Sequence, residues 1–109
     1  MLYLFNALVL PIDFDNYPSV TLKVSKITLE EARQILSQGF TSAVGHEATA
    51  SRLSFLLGFS VPTNRIAILM KPGDKGLHFV LKRRLPEGTI LGHQDMVGLE
   101  FWFVKSEVV

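Results

Sequence analysis

The chain has 109 residues, no cysteine and a net charge of +1, with nearly half of its residues hydrophobic. That length and apolar content fit one domain with a core of its own, residues 1–109, and argue against disorder. Disulfides, zinc–thiolate centres and cysteine nucleophiles are excluded, and the charge is too small for a protein that coats nucleic acid in bulk.

Residues 2–10 (LYLFNALVL) are an almost continuous apolar run broken by Asn6, as expected of a strand covered on both faces. The run has no basic start and meets Pro11 and Asp13 early, which favours a buried strand over a leader or a membrane span. Asp15, Asn16 and Pro18 supply turn chemistry, and VTLKVS at 20–25 alternates like a half-exposed strand. Thr28 and Glu31 have the spacing of a capping box. It predicts a helix to about Gln38, with Leu29, Ala32, Ile35 and Leu36 inward and Gly39 at the stop. A second helix is expected from His46, with Thr49, Ala50, Leu53, Leu56 and Leu57 inward and Gly58 as its end.

Asn64–Lys71 (NRIAILMK) reads as a buried strand, followed by a turn at PGDKG. In the next strand, LHFVLKRRL, alternation sends Leu77, Phe79, Leu81, Arg83 and Leu85 to one face and His78, Val80, Lys82 and Arg84 to the other. A short helical piece is expected around His93–Val97, and LEFWFVKS makes the final strand. The sum is an α/β (α+β) domain: a mixed sheet of about five strands with two or three helices mainly on one face. The open sheet face or an edge then needs a partner, which favours a homodimer.

Four places hold polar residues that chemistry can use. At Gly45-His46-Glu47-Ala48-Thr49 a helix start leaves backbone N–H groups pointing outward, which suits an anion; a plain cap with a solvated histidine explains the same residues. In Lys82-Arg83-Arg84-Leu85-Pro86-Glu87, Arg84 can fork onto a phosphate and Glu87 can orient a histidine, although a charged strand end is the plainer reading. Asn64-Arg65 stands at a strand mouth, where an arginine either pairs with a carboxylate or reaches a phosphate. Asn6 is an amide in an apolar strand, and a satisfied core amide is its simplest explanation. Three histidines without H-x-x-x-H spacing make a metal site a poor fit. There is no P-loop, GxSxG or GxGxxG motif.

The segments LFNALVLP, FTSAVGHEAT, PTNRIAI and LKRRLPEGTIL, in this order, resemble the viral ring nucleases, anti-CRISPR proteins that act against type III systems. The resemblance covers most of the chain and is most specific at SAVGHEAT and RLPEG. It implies a viral origin and a homodimer whose two-fold cleft binds cyclic tetra-adenylate. It also implies metal-independent cutting of that ring to linear di-adenylate with 2′,3′-cyclic phosphate ends, without a cofactor, in the cytoplasm of the infected host cell. Residue by residue it assigns His46 as the catalytic histidine and Glu87 as its assistant. Arg65 and Arg84 become phosphate contacts, and Asn6, Gly45 and Thr49 line the ligand pocket. Ala48, Arg83 and Val80 depart from the polar residues of some relatives, which bears on affinity and ring size. No membrane or stable DNA partner is expected. The competing readings are a non-catalytic viral nucleic-acid-binding or regulatory protein, and a sponge that holds the cyclic ligand without cutting it.

Overall fold

The most local signals in the chain become its most regular elements. In a computed structural model describing residues 1–82 and 101–109, the Thr28 side chain accepts from the Glu31 N–H at 3.1 Å. The Glu31 carboxylate in turn accepts from the Thr28 N–H at 3.1 Å. This reciprocal box opens helix α1, Leu29–Leu36. Helix α2, Glu47–Leu57, starts at His46 and ends at Gly58, whose φ of 79° is a left-handed stop that a residue with a Cβ adopts poorly.

Five strands form one mixed sheet: β1 (Leu2–Phe5), β2 (Leu22–Ile27), β3 (Thr41–Ser42), β4 (Lys75–Leu81) and β5 (Phe101–Val108). Their spatial order is β2-β5-β4-β1-β3. β1 runs parallel to both β3 and β4, whereas β5 is antiparallel to β4 and β2. The expected α+β architecture therefore holds, with both described helices on one face. There Leu4, Leu77, Phe79 and Phe103 pack against Ala32 and Leu36 of α1 and against Ala50, Leu53 and Leu57 of α2. Phe79, Phe101 and Phe103 add three tilted or edge-on ring contacts at 5.3–5.7 Å, the geometry aromatic quadrupoles prefer.

The opposite face is not left bare. Two stretches without helix or strand cover part of it, and Ile12 and Met70 from them pack with Phe5 and Val108. Ile12 and Met70 also form a single parallel bridge. The part that stays open is centred on Val24 and Trp102, which are 49% and 39% exposed.

Two expectations require correction. Asn64–Lys71 is not a strand: Ile66 and Leu69 face solvent, and only Met70 takes part in a bridge. Its ends are instead fixed by Asn64 N–H to the Val44 carbonyl and Met70 N–H to the Pro11 carbonyl, with no continuous ladder between them. The first strand stops at Phe5, because the chain bends at Asn6 and Ala7 and leaves the sheet with Leu8 and Val9 exposed. The fifth strand of the sheet is instead the two-residue β3, too short to carry a pattern in sequence. Arg83, Arg84, Leu85, Glu87 and the segment His93–Val97 lie outside the described residues. No helix among the described residues is long and apolar enough to cross a membrane.

Candidate functional site at the carboxyl ends of the parallel strands

Because β3, β1 and β4 run in the same direction, their carboxyl ends meet one edge of the sheet. In open α/β sheets ligands bind outside the carboxyl ends of the strands, and the three parallel strands here present the same kind of edge. Asn6 follows β1, Ala43–His46 follow β3, and Lys82 follows β4. The Ala43 N–H donates to the Leu4 carbonyl at 2.8 Å, so the exit from β3 is tied directly to the exit from β1.

The turn into α2 is held by short polar contacts. Ser42 Oγ donates to the Pro62 carbonyl at 2.6 Å and accepts from the Val44 N–H at 3.2 Å. Asn64 Nδ2 donates to the Ser42 carbonyl at 2.8 Å, and the Asn64 N–H donates to the Val44 carbonyl at the same distance. These bonds set Arg65 against the turn. A Cβ placed on Gly45 would come within 3.3 Å of Arg65 Cγ, so the arginine stem lies across the glycine and its head remains exposed.

His46 is the N-cap of α2, with extended backbone (φ −122°, ψ 125°), and its side chain makes no capping bond. The imidazole is exposed. The first helical hydrogen bond of α2 runs from the Ala50 N–H to the His46 carbonyl at 2.9 Å. The N–H groups of Glu47, Ala48 and Thr49 therefore lack helical partners and point out of the helix start, at the positive end of its dipole. Glu47 puts a carboxylate in the same turn, which partly offsets that field. Thr49 is half-buried in this first turn.

The structure thus brings Gly45, His46, Thr49 and Arg65 together and sets Asn6 at the end of the neighbouring strand. Arg84 and Glu87 fall outside the described residues. An exposed imidazole and outward-pointing N–H groups at one helix start, with an exposed guanidinium whose stem lies over the preceding glycine, are suited to proton transfer beside a bound phosphate. Among the described residues no group of three or more His, Cys, Asp or Glu is placed to hold a metal ion.

Two contributors are not evident from spacing. Asn64 positions Arg65 through its side-chain amide, a role hidden by reading NRIAILMK as a strand. His78, set by alternation on the face opposite Leu77 and Phe79, is fully buried beneath the segment that leaves β1. The apolar Ile12, Ile68 and Met70 that cover that face were its one available signal.

The family model described as STIV B116-like matches residues 2–103 of the chain. The uncharacterized protein ORF117 of Acidianus two-tailed virus is 34% identical over 111 residues, covering 96% of this chain and 92% of that protein. Uncharacterized protein 26 of Sulfolobus islandicus filamentous virus is 37% identical over 109 residues, covering 96% and 91%. A bacterial relative, YddF of Bacillus subtilis, is 33% identical over 84 residues, covering 74% and 78%. Among solved structures, B116 of Sulfolobus turreted icosahedral virus superposes with a TM-score of 0.74, covering 97% of each chain at 24% identity. That last likeness bears on the fold alone.

Proposed function

The chain belongs to the STIV B116-like family of archaeal viral proteins, and we propose that it is a metal-independent ring nuclease that cleaves cyclic tetra-adenylate and so silences type III CRISPR signalling. The observation that carries this reading is His46 itself: an exposed imidazole on an uncapped helix start, with Arg65 laid across the adjoining Gly45. The resemblance of SAVGHEAT and RLPEG to the viral ring nucleases supplies the substrate class.

In this reaction a ribose 2′-hydroxyl attacks the neighbouring phosphorus and the bond from phosphorus to the 5′ oxygen breaks. A 5′ alkoxide leaves poorly unless it is protonated, so His46 acts as the general acid and water takes up the 2′ proton. The free N–H groups at the start of α2 and the Arg65 head stabilise charge on the phosphate. Arg84 and Glu87 enter on the resemblance alone, as a second phosphate contact and as the group that orients His46. A homodimer would set two copies of His46 around one ring, and two cuts yield two identical di-adenylates with 2′,3′-cyclic phosphate ends. The proposed setting is the cytoplasm of the infected cell.

The test is single-turnover incubation with cyclic tetra-adenylate in excess EDTA, with products identified by chromatography and mass spectrometry. His46→Ala is expected to slow cleavage by roughly 10²–10⁴-fold while binding is largely retained. Undiminished cutting by this variant removes His46 from the chemistry. Tight binding without products from the unaltered protein identifies a sponge.

A further inference from the structure

His78 is fully buried, yet it is polar at both ring nitrogens. It lies in β4 opposite Phe5 of β1 and stacks on that ring at 5.0 Å and 10°. Its Nδ1 is 3.0 Å from the Ala7 carbonyl, and its Nε2 is 2.7 Å from Ser106 Oγ. A carbonyl only accepts, so Nδ1 carries the hydrogen. Nε2 of the neutral ring is then the acceptor, and the Ser106 hydroxyl donates to it. Neither partner is charged, and burial of the ring disfavours an imidazolium more than the Ala7 hydrogen bond favours it.

The neighbouring strands are shaped to hold this ring. Gly76 pairs with Ser106 across β4 and β5. A Cβ at Gly76 would fall 2.6 Å from Ser106 Oγ and 2.8 Å from His78 Nε2, closer than real Cβ atoms come. The missing side chain is what lets serine and histidine meet.

The purpose of this packing lies at the far end of the ring. Among the described residues, the hydrogen bonds made by the stretch from Ala7 to Leu10 both fall on the Ala7 carbonyl, one from the Val9 N–H at 3.0 Å and one from His78. The first is local. His78 therefore provides the tether between this stretch and the sheet, one residue beyond Asn6.

We propose that His78 is a positioning residue: as the Nδ1–H tautomer it clamps the Ala7 carbonyl and so fixes the main chain just after Asn6 at the edge of the candidate site. The part of this that concerns ligand rests on Asn6 lining the pocket of the proposed ring nuclease. The clamp itself stands on geometry alone.

The first test needs no variant. Nitrogen-15 NMR of the imidazole rings in the unaltered protein at neutral pH should show His78 as the neutral Nδ1–H tautomer, and an Nε2–H tautomer or an imidazolium overturns the clamp. Second, His78→Asn keeps an amide donor near the Nδ1 position, whereas His78→Gln moves it toward the Nε2 position. Exchange of the Val9 amide should quicken on the order of tenfold in the glutamine variant and stay near the original rate in the asparagine variant. Equal behaviour of the two variants overturns the proposal. Third, in a His46→Ala background, His78→Gln should weaken binding of cyclic tetra-adenylate roughly tenfold, and should add little once Asn6→Ala is present. Independent, multiplying losses refute positioning through Asn6. If the unaltered protein does not bind the ring at all, the proposed activity fails, and the tautomer and exchange results alone decide whether the clamp exists.

Discussion

The two faces of the sheet are built differently, and the contrast separates what holds the protein together from what shapes its site. Under the helices the packed cluster is built of apolar side chains, from Leu4 and Leu77 to the rings of Phe79 and Phe103, with Ser42 and Arg52 the buried polar residues beside it. On the other face the cover is irregular chain, and polar groups are buried with it: His78, Ser106 and the main-chain carbonyl of Ala7. Apolar packing is non-directional and tolerates small shifts, whereas a buried hydrogen bond fixes a particular atom in a particular place. The first face therefore supplies most of the stability. The second supplies registration of the chain that borders the site.

Substitutions that tax each face differently will break or sharpen this contrast. The largest effect is expected from Phe79→Ala beneath the helices, a loss of about 3–5 kcal/mol in denaturant-induced unfolding through the cavity left among Phe101, Phe103 and the helix residues. A loss below about 1 kcal/mol would mean that the helix-covered core is not the main source of stability. Gly76→Ala on the other face should cost less, about 1–3 kcal/mol, because the new methyl drives Ser106 and His78 apart. It should also perturb the NMR signals of Asn6 and Val9; a destabilised protein with those signals unmoved would show that the two faces differ only in degree.

The smallest effect is the dependence on pH. Burial lowers the pKa of His78 from the ordinary 6.5, and its hydrogen bond to Ala7 opposes the shift only in part. Below that ordinary value the unfolded chain takes up a proton that the folded chain resists. The contribution of His78 is thus intact above the unfolded pKa and declines as pH falls toward the folded one. One proton sets a ceiling of about 1.4 kcal/mol per pH unit. Unfolding midpoints at pH 7.5 and 5.5 should show this loss in the unaltered protein and not in His78→Asn, and identical slopes would remove the buried ring from the balance.

The sequence was readable where a signal is local and misleading where it depends on what lies across space. Thr28 with Glu31, and Gly58 after a leucine-rich stripe, mark helix ends by chemistry that needs no tertiary context. The inward set Leu77, Phe79 and Leu81 follows from strict alternation. Asn64–Lys71 shows the opposite case: its apolar content suggests a strand, but a strand needs a neighbour to pair with, and composition cannot supply one. The site was legible in part for the same reason. Gly45 and His46 announce a helix start, whereas the placement of Arg65 on Gly45 needs the Asn64 bonds, which reach back to Ser42 and Val44. Alternation separated His78 from Leu77 and Phe79, yet its burial depends on chain that returns from two distant places.

One consequence of the bare cap on α2 concerns selection rather than geometry. Histidine makes no capping bond at position 46, where an aspartate would accept from a free N–H and complement the positive helix end. His46→Asp should raise the unfolding free energy by about 0.5–1 kcal/mol while ending any proton delivery from this position. A single substitution therefore leads to a sturdier and chemically silent protein. A laboratory screen for thermal survival, run without the ligand, would discard the histidine among its first improvements.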